Sequence, residues 1–223
     1  MWYAKPSGAY GINSDEAGNN MFEIYNLLHD EFTDEAIAGI LGNMGAESGY
    51  NPWRWQGDKY GSKRGYGLVQ FTPASGYIDE YGVGLIGYSP NLSVSGTTPG
   101  ATPEDGKAQT YVIKHDRAGK YLDRRSWCDY YDLSNTYPFS RYKQITDIQE
   151  ATIAWLFNYE APADRSQTVA DYRVSLANTC YTIITGNPPP SPTPTPYPPS
   201  PTPVPPKPIG GRKLPLMYYL RRV

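Results

Sequence analysis

Two carboxylates stand out by type and spacing. Glu47, in "GNMGAESGYNP", follows Met44 by three residues and Ile40 by seven. That spacing puts it on the apolar stripe of a predicted helix, at its last turn. Burial and the negative end of the helix dipole both disfavour a charge there, and a carboxyl group held neutral is what a general acid needs. Asp58, in "QGDKYG", lies eleven residues further on, in a turn. A helix-borne glutamate with a loop-borne aspartate fits the two-carboxylate chemistry of glycoside cleavage. Trp53, Trp55, Tyr60 and Tyr66 cluster around Asp58. Ring faces among polar groups suit a ligand with both apolar and hydroxylated surfaces, such as a sugar; the same rings would also fill a small core. The plain alternative for Glu47 is a glutamate bonded to a neighbouring backbone group or an arginine. For Asp58 it is local turn bonding.

The elements that must position these residues are mainly helical. Thr33 is an N-cap, with Asp34 and Glu35 in the first turn, for a helix predicted over Asp34–Ser48 and ended by Gly49 and Asn51-Pro52. Before it, Phe22, Tyr25, Leu28 and Phe32 fall at helical spacing, after an irregular lead over residues 1–17. The block Trp53–Phe71 is turn-rich and aromatic and predicts a small hairpin or sheet. Thr72-Pro73 and Thr102-Pro103 each read as an N-cap followed by proline at the first helical position. They predict helices to about Tyr81 and Arg117, separated by a Gly/Ser/Thr/Pro loop over 83–101. Thr146 and Gln149 form a capping-box pattern before a largely buried helix. A last helix over Gln167–Thr185 carries Val169, Tyr172, Leu176 and Ile183 on one face. The expected class is α+β, mainly α, with a small β insertion after the helix that bears Glu47.

Composition divides the chain. Thirteen of the 21 positions from Pro188 to Pro208 are proline, which predicts an extended polyproline spacer. Lys207, Arg212, Lys213, Arg221 and Arg222 give the tail a charge of +5, and the whole chain carries −2, so the first 187 residues carry −7. A phosphate binder carries positive charge on its folded part, so no nucleic-acid partner is expected. The organisation predicted is a lead over 1–17, a catalytic domain over 18–187, a proline-rich linker over 188–209 and a basic, apolar docking peptide over 210–223. Leu214, Leu216, Met217, Tyr218 and Leu220 would let that peptide add to a groove or sheet edge, or touch an anionic membrane surface. Cys128 and Cys180 are too few for a disulfide framework and read either as two semi-buried thiols or as one pair. His29 and His115 are the only histidines, and no metal-ligand spacing exists, so no metal and no cofactor are expected. Nor is there a nucleophile-elbow pattern. The start "MWYAKPSGAYG" lacks a basic segment followed by an apolar run, which predicts synthesis without a signal peptide.

Three motifs, "AIAGILGNMGAESGYNPWRWQ", "GYGLVQFTPASGYI" and "FNYEAPAD", occur in the order and at the spacing of a known family. The chain resembles the phage tail lysozyme family, the peptidoglycan-cleaving domains on tail tips of phages that infect mainly Gram-positive bacteria. The resemblance runs over Thr33–Tyr81 and Phe139–Thr185 and does not extend past Asn187. A glutamate-serine pair ending a helix, followed by Gly-Leu-x-Gln, is also similar to the wider lysozyme and lytic transglycosylase superfamily. The resemblance implies a lysozyme-like fold, with Glu47 as catalytic general acid and Gln70 lining the cleft. Gly65 and Gly67 would allow close backbone approach to substrate, and Tyr159 and Glu160 would flank the cleft. The family form has arginine after that glutamate, where this chain has Ala161. Asp58 would be the second carboxylate; Trp55 and Tyr66 would bind substrate. The partners implied are peptidoglycan glycan strands and, through residues 210–223, other tail proteins of a virion. Without a second carboxylate, the substrate's own N-acetyl or C6 hydroxyl group would act, the latter giving the anhydro products of a lytic transglycosylase. A non-catalytic glycan-binding or structural tail part and a free endolysin are the other readings.

Overall fold

The computed structural model describes residues 1–5, 12–58, 63–80, 103–115, 127–128, 136–160, 162, 164 and 166–191. Tyr60, the expected loop over 83–101, the bulk of the proline-rich segment and the C-terminal peptide lie outside the described residues.

The first helix, α1, spans Ser14–Leu28 and starts earlier than the sequence reading placed it. The signal overlooked is an Asn-x-x-Glu capping box. The Glu16 N–H donates to Asn13 Oδ1 at 3.0 Å, and the Asn13 N–H donates to Glu16 Oε2 at 2.9 Å. The lead is likewise not irregular at its start. The Tyr3 N–H donates to Asn20 Oδ1, and Asn20 Nδ2 donates back to the Tyr3 carbonyl, each at 2.8 Å. Trp2 is buried against Gly106, where any Cβ would overlap its ring. The buried side of α1 is Met21, Ile24 and Leu28, while Phe22 faces out at 43% exposure.

Helix α2, Asp34–Ser48, is the centre of the fold. Thr33 caps it as expected, accepting from the Ala36 N–H, and Gly49 ends it in the left-handed region. Every residue from Ala36 to Met44 is buried, so this is a helix covered on all sides rather than an amphipathic surface helix. Its coverings are α6 (Ile148–Trp155) and α7 (Gln167–Thr185). A Cβ on Gly39 would lie 2.8 Å from the α6 backbone at Ala151 and Thr152. A Cβ on Gly42 would lie 2.6 Å from the Arg173 carbonyl of α7. Glycine at these two positions is what allows both helices to approach so closely.

The pairing order gives the directions. Ala38 packs with Ile148, Gly39 lies against Ala151, and Asn43 donates to the Thr152 carbonyl. Helix α6 therefore advances in the same sense as α2. Tyr181 reaches Glu35, while Arg173 reaches Asn43 and Glu47, so α7 runs the opposite way. The buried side of α7 is Ala170, Arg173, Ala177, Cys180 and Ile184. This corrects the expected face: Tyr172 is 57% exposed and Ile183 is 36% exposed. The glycine-lined surface of α2 has room for small side chains, not for that apolar row.

Around this centre lie α3 (Ala74–Glu80), α4 (Pro103–His115), β1 (Trp127–Cys128), β2 (Thr136–Tyr137) and α5 (Phe139–Tyr142). Strands β1 and β2 pair antiparallel, Trp127 opposite Tyr137. The expected hairpin or sheet after α2 is replaced, among the described residues, by single bridges, Trp55 with Tyr66 and Tyr66 with Phe71. Left-handed Gly57, Gly67 and Gln70 turn the chain too often for a ladder to extend. Two caps also shift. Asp147, not Thr146, caps α6 by accepting from the Glu150 N–H at 2.8 Å. Thr72 does not cap α3; its hydroxyl donates to the Gln70 carbonyl at 2.8 Å. No helix among the described residues is long and apolar enough to cross a membrane.

Candidate active site

Glu47 is the penultimate residue of α2. Ser48 Oγ donates to the Met44 carbonyl at 3.1 Å and to the Leu68 carbonyl at 2.9 Å. The helix end is thereby fastened to the loop carrying Gly67–Gln70, so the two sequence motifs are joined by one hydroxyl. After Gly49, Tyr50 also takes a left-handed φ of 64°. For a non-glycine residue this costs about 1–2 kcal/mol. It is offset by burial of the ring, by a contact of the hydroxyl with Cys180 Sγ at 3.1 Å, and by Asn20 Nδ2 donating to the Tyr50 carbonyl at 2.9 Å. Burial raises the Tyr50 hydroxyl well above the usual tyrosine range and pushes the Cys180 thiol up to about 11. Cys180 is a free, buried thiol.

Glu47 does not stand alone on an apolar stripe: of the two arrangements open to it, the structure shows the arginine-bonded one. Arg173 Nη2 donates to Glu47 Oε1 at 2.6 Å, with the two side chains 9% and 15% exposed. Arg173 Nη1 donates to the Asn43 carbonyl at 3.1 Å and to Asn43 Oδ1 at 3.2 Å. Asn43 is fully buried, and its Nδ2 donates to the carbonyls of Gly39 and Thr152. A chain of hydrogen bonds thus runs from the α6 backbone through Asn43 and Arg173 to Glu47. Glu47 Oε2 has no hydrogen-bond partner among the described residues.

The loop beside the helix end is set by α4. Buried Asp105 accepts from Tyr66 Oη at 2.5 Å, Tyr77 Oη at 2.9 Å and Gln109 Nε2 at 3.0 Å. Gln109 Oε1 accepts from the Leu68 N–H at 2.7 Å, and its Nε2 also donates to the Pro52 carbonyl at 2.9 Å. These two residues hold the segments on both sides of Asp58.

The structure places the expected site residues as follows. Gln70 is left-handed and nearly buried, and its Nε2 donates to the Gly67 and Arg54 carbonyls, so it braces its own loop. Trp55 and Tyr66 are buried, their rings 4.4 Å apart, and form the floor of the loop; neither offers a face to a ligand. Of the two uses open to that cluster, these rings take the core. Gly65 and Gly67 also serve packing: a Cβ on either would run into Gln70 or Gln109. Trp53 is half-buried. The backbone of Asp58 closes a 3₁₀ turn, Gln56–Asp58, and its side chain lies outside the described residues. Tyr159 and Glu160 sit on the π-helical extension of α6, Leu156–Glu160, which leads toward the Glu47 end of α2. Tyr159 stacks on Trp155 at 4.5 Å, and Glu160 Oε1 accepts from Trp155 Nε1 at 3.2 Å, so Glu160 ties this extension to the core. Among the described residues, no group of three or more His, Cys, Asp or Glu could hold a metal ion.

Sequence reading missed Arg173, Asn43, Asp105 and Gln109. Asn43 had a local signal, since it lies one helical turn before Glu47 on the same side. Arg173 is 126 positions away from Glu47 and had only a faint one, a lone cation in a row of small residues.

The chain is 40% identical over 80 residues to "Morphogenesis protein 1" of Bacillus phage B103, a stretch covering 35% of this chain and 21% of the relative. The chain therefore spans about a fifth of the length of that relative. The model of one family, described as phage tail lysozyme, matches residues 19–184, which take in Glu47, the loop to Gln70, the α6 extension and Arg173. The chain belongs to the phage tail lysozyme family.

Proposed function

We propose that this chain cleaves the glycan backbone of peptidoglycan as part of a phage tail, during genome entry through a Gram-positive wall, with Glu47 as general acid. The observation that carries this reading is the state of the Glu47 carboxyl group. It sits at a fixed helix end, with one oxygen engaged by Arg173 and the other without a partner among the described residues, within the span matched by a lysozyme family.

Glu47 Oε2 delivers a proton to the glycosidic oxygen as the bond to the neighbouring sugar breaks. Positive character develops at the anomeric carbon. Asp58 answers it by stabilising that charge or activating water, and hydrolysis then leaves an ordinary reducing end. Tyr159 flanks the cleft from the α6 extension, and Gln70 holds the loop that forms its wall. The residues 18–187 act as the catalytic unit, and residues 210–223 dock it on other tail proteins beyond the proline-rich linker.

The test is mass spectrometry of purified peptidoglycan digested by the wild type and by Glu47→Gln. Loss of a general acid lowers the rate by about 10²–10⁴-fold, so only the wild type should release muropeptides. Reducing ends support the hydrolase and identify the bond from the sugar at the new end. Anhydro ends would instead make the chain a lytic transglycosylase that needs no Asp58. Equal release by both proteins removes Glu47 from the chemistry, and release by neither leaves a binding or structural tail part.

A further inference from the structure

We infer that Arg173 is the positioning residue of the active site: it fixes Glu47 Oε1 as an acceptor and so reserves Oε2 for the transferable proton. The inference rests on the reading of Glu47 as the general acid.

A guanidinium group has donors only and stays charged. The oxygen it meets at 2.6 Å must therefore accept. When Glu47 carries a proton, that proton resides on Oε2, the oxygen without a partner among the described residues. When the proton leaves for the glycosidic oxygen, negative charge returns to a group already facing a cation. The same contact thus selects which oxygen is the acid and stabilises the carboxylate that the step produces.

The guanidinium is itself held. It is buried, and its Nη1 is shared between two acceptors of Asn43. Asn43 is fixed in turn by carbonyls of α2 and α6. The α7 backbone at Arg173 is pressed onto Gly42, five positions before Glu47 on α2. Three helices thus converge on one carboxyl rotamer. A glutamate side chain at a helix end has three rotatable bonds, and this arrangement removes that freedom before substrate arrives. Lysine would carry the charge, but its single ammonium could not bridge Asn43 and Glu47 as a planar fork does.

The experiment uses the full chain on purified peptidoglycan, with initial rates of muropeptide release over a range of substrate concentrations. Wild type, Arg173→Met, Arg173→Lys, Glu47→Gln and the double variant Arg173→Met/Glu47→Gln are compared. Circular dichroism checks folding at the assay temperature. Misplacing a catalytic group by about 1 Å costs about 10²-fold, so Arg173→Met should lower kcat by that order and leave the apparent KM within about twofold. Arg173→Lys should recover part of the loss, and in the Glu47→Gln background Arg173→Met should add none. If Arg173→Met does not fold, Arg173→Lys decides by the same kcat criterion. A folded Arg173 variant with wild-type kcat, beside an inactive Glu47→Gln, would overturn this inference and leave the proposed function standing. So would a loss that merely follows the unfolded fraction. Full activity in Glu47→Gln would sink both.

Discussion

Replacing Gly42 by alanine puts a methyl group where two helices have no room for one. Its Cβ would lie 2.6 Å from the Arg173 carbonyl oxygen, 2.7 Å from Ala177 Cβ and 2.8 Å from Ala177 N. Two of these three atoms are backbone, so no side-chain rotation relieves the clash. Ordinary contact begins at 3.4 Å, so α7 must withdraw by about 0.8 Å or the helices must strain. Overpacking of this kind costs about 1–3 kcal/mol. Alanine in a helix interior returns about 0.5–1 kcal/mol relative to glycine, which leaves a net loss of up to about 2.5 kcal/mol. Gly18 of α1 is the control: nothing among the described residues lies within 4 Å of its Cβ position, so Gly18→Ala should stabilise by about 0.5–1 kcal/mol. Urea unfolding reads both, as a lower midpoint for Gly42→Ala and a higher one for Gly18→Ala at unchanged slope. Because withdrawal of α7 carries Arg173 with it, Gly42→Ala should also lose glycan cleavage while still folded. Midpoints that shift in the same direction would refute the claim that α2 and α7 are packed to the limit at Gly42.

Asp105→Asn presents an amide to a site where at least three donors converge. It should destabilise the fold by about 2–3 kcal/mol, and an unchanged urea midpoint would count against Asp105 as the anchor of the loop. The Cys180 thiol titrates at about 11 in the fold against an ordinary value of 9.0, so the folded state holds that proton more tightly than the unfolded one. Its stability contribution is complete below pH 9, falls as pH rises through 11, and amounts to about 2–3 kcal/mol. Cys180→Ala should flatten the alkaline loss of stability relative to wild type, and parallel profiles would contradict the assignment.

What the sequence made legible was local. Thr33, Asp34, Glu35 and Gly49 bound α2 because caps and dipole partners lie within one turn of what they stabilise. Glu47 was placed for the same reason. The capping box at Asn13 is equally local. The floor under the Gly67–Gln70 loop was not legible, because Asp105 serves it from a different helix, 39 positions beyond Tyr66. "TPED" announces a helix start, and nothing in those four residues says that the aspartate points inward.

The face of α7 shows a deeper version of the same limit. A search for large apolar residues at helical spacing selects Val169, Tyr172, Leu176 and Ile183, and it assumes a partner surface with hollows for them. The partner is instead α2 at Gly42 and Gly45, part of a glycine strip spaced every three residues whose third member, Gly39, faces α6. Opposite Gly42 lie the Arg173 backbone and Ala177, with the methyl of Ala177 in contact range. Such a strip is readable as a demand for close approach, without saying by which helix. The buried side of α7 is mostly small, Ala170, Ala177 and Cys180, with a single arginine among them and Ile184 at its end. Burying an arginine without a partner is costly, so a lone arginine in a row of small residues itself implies a buried acceptor across the interface. On α2 the carboxylate at that end is Glu47. Once the small-residue face is taken as the buried one, joining the two halves of this argument places the cation against the acid.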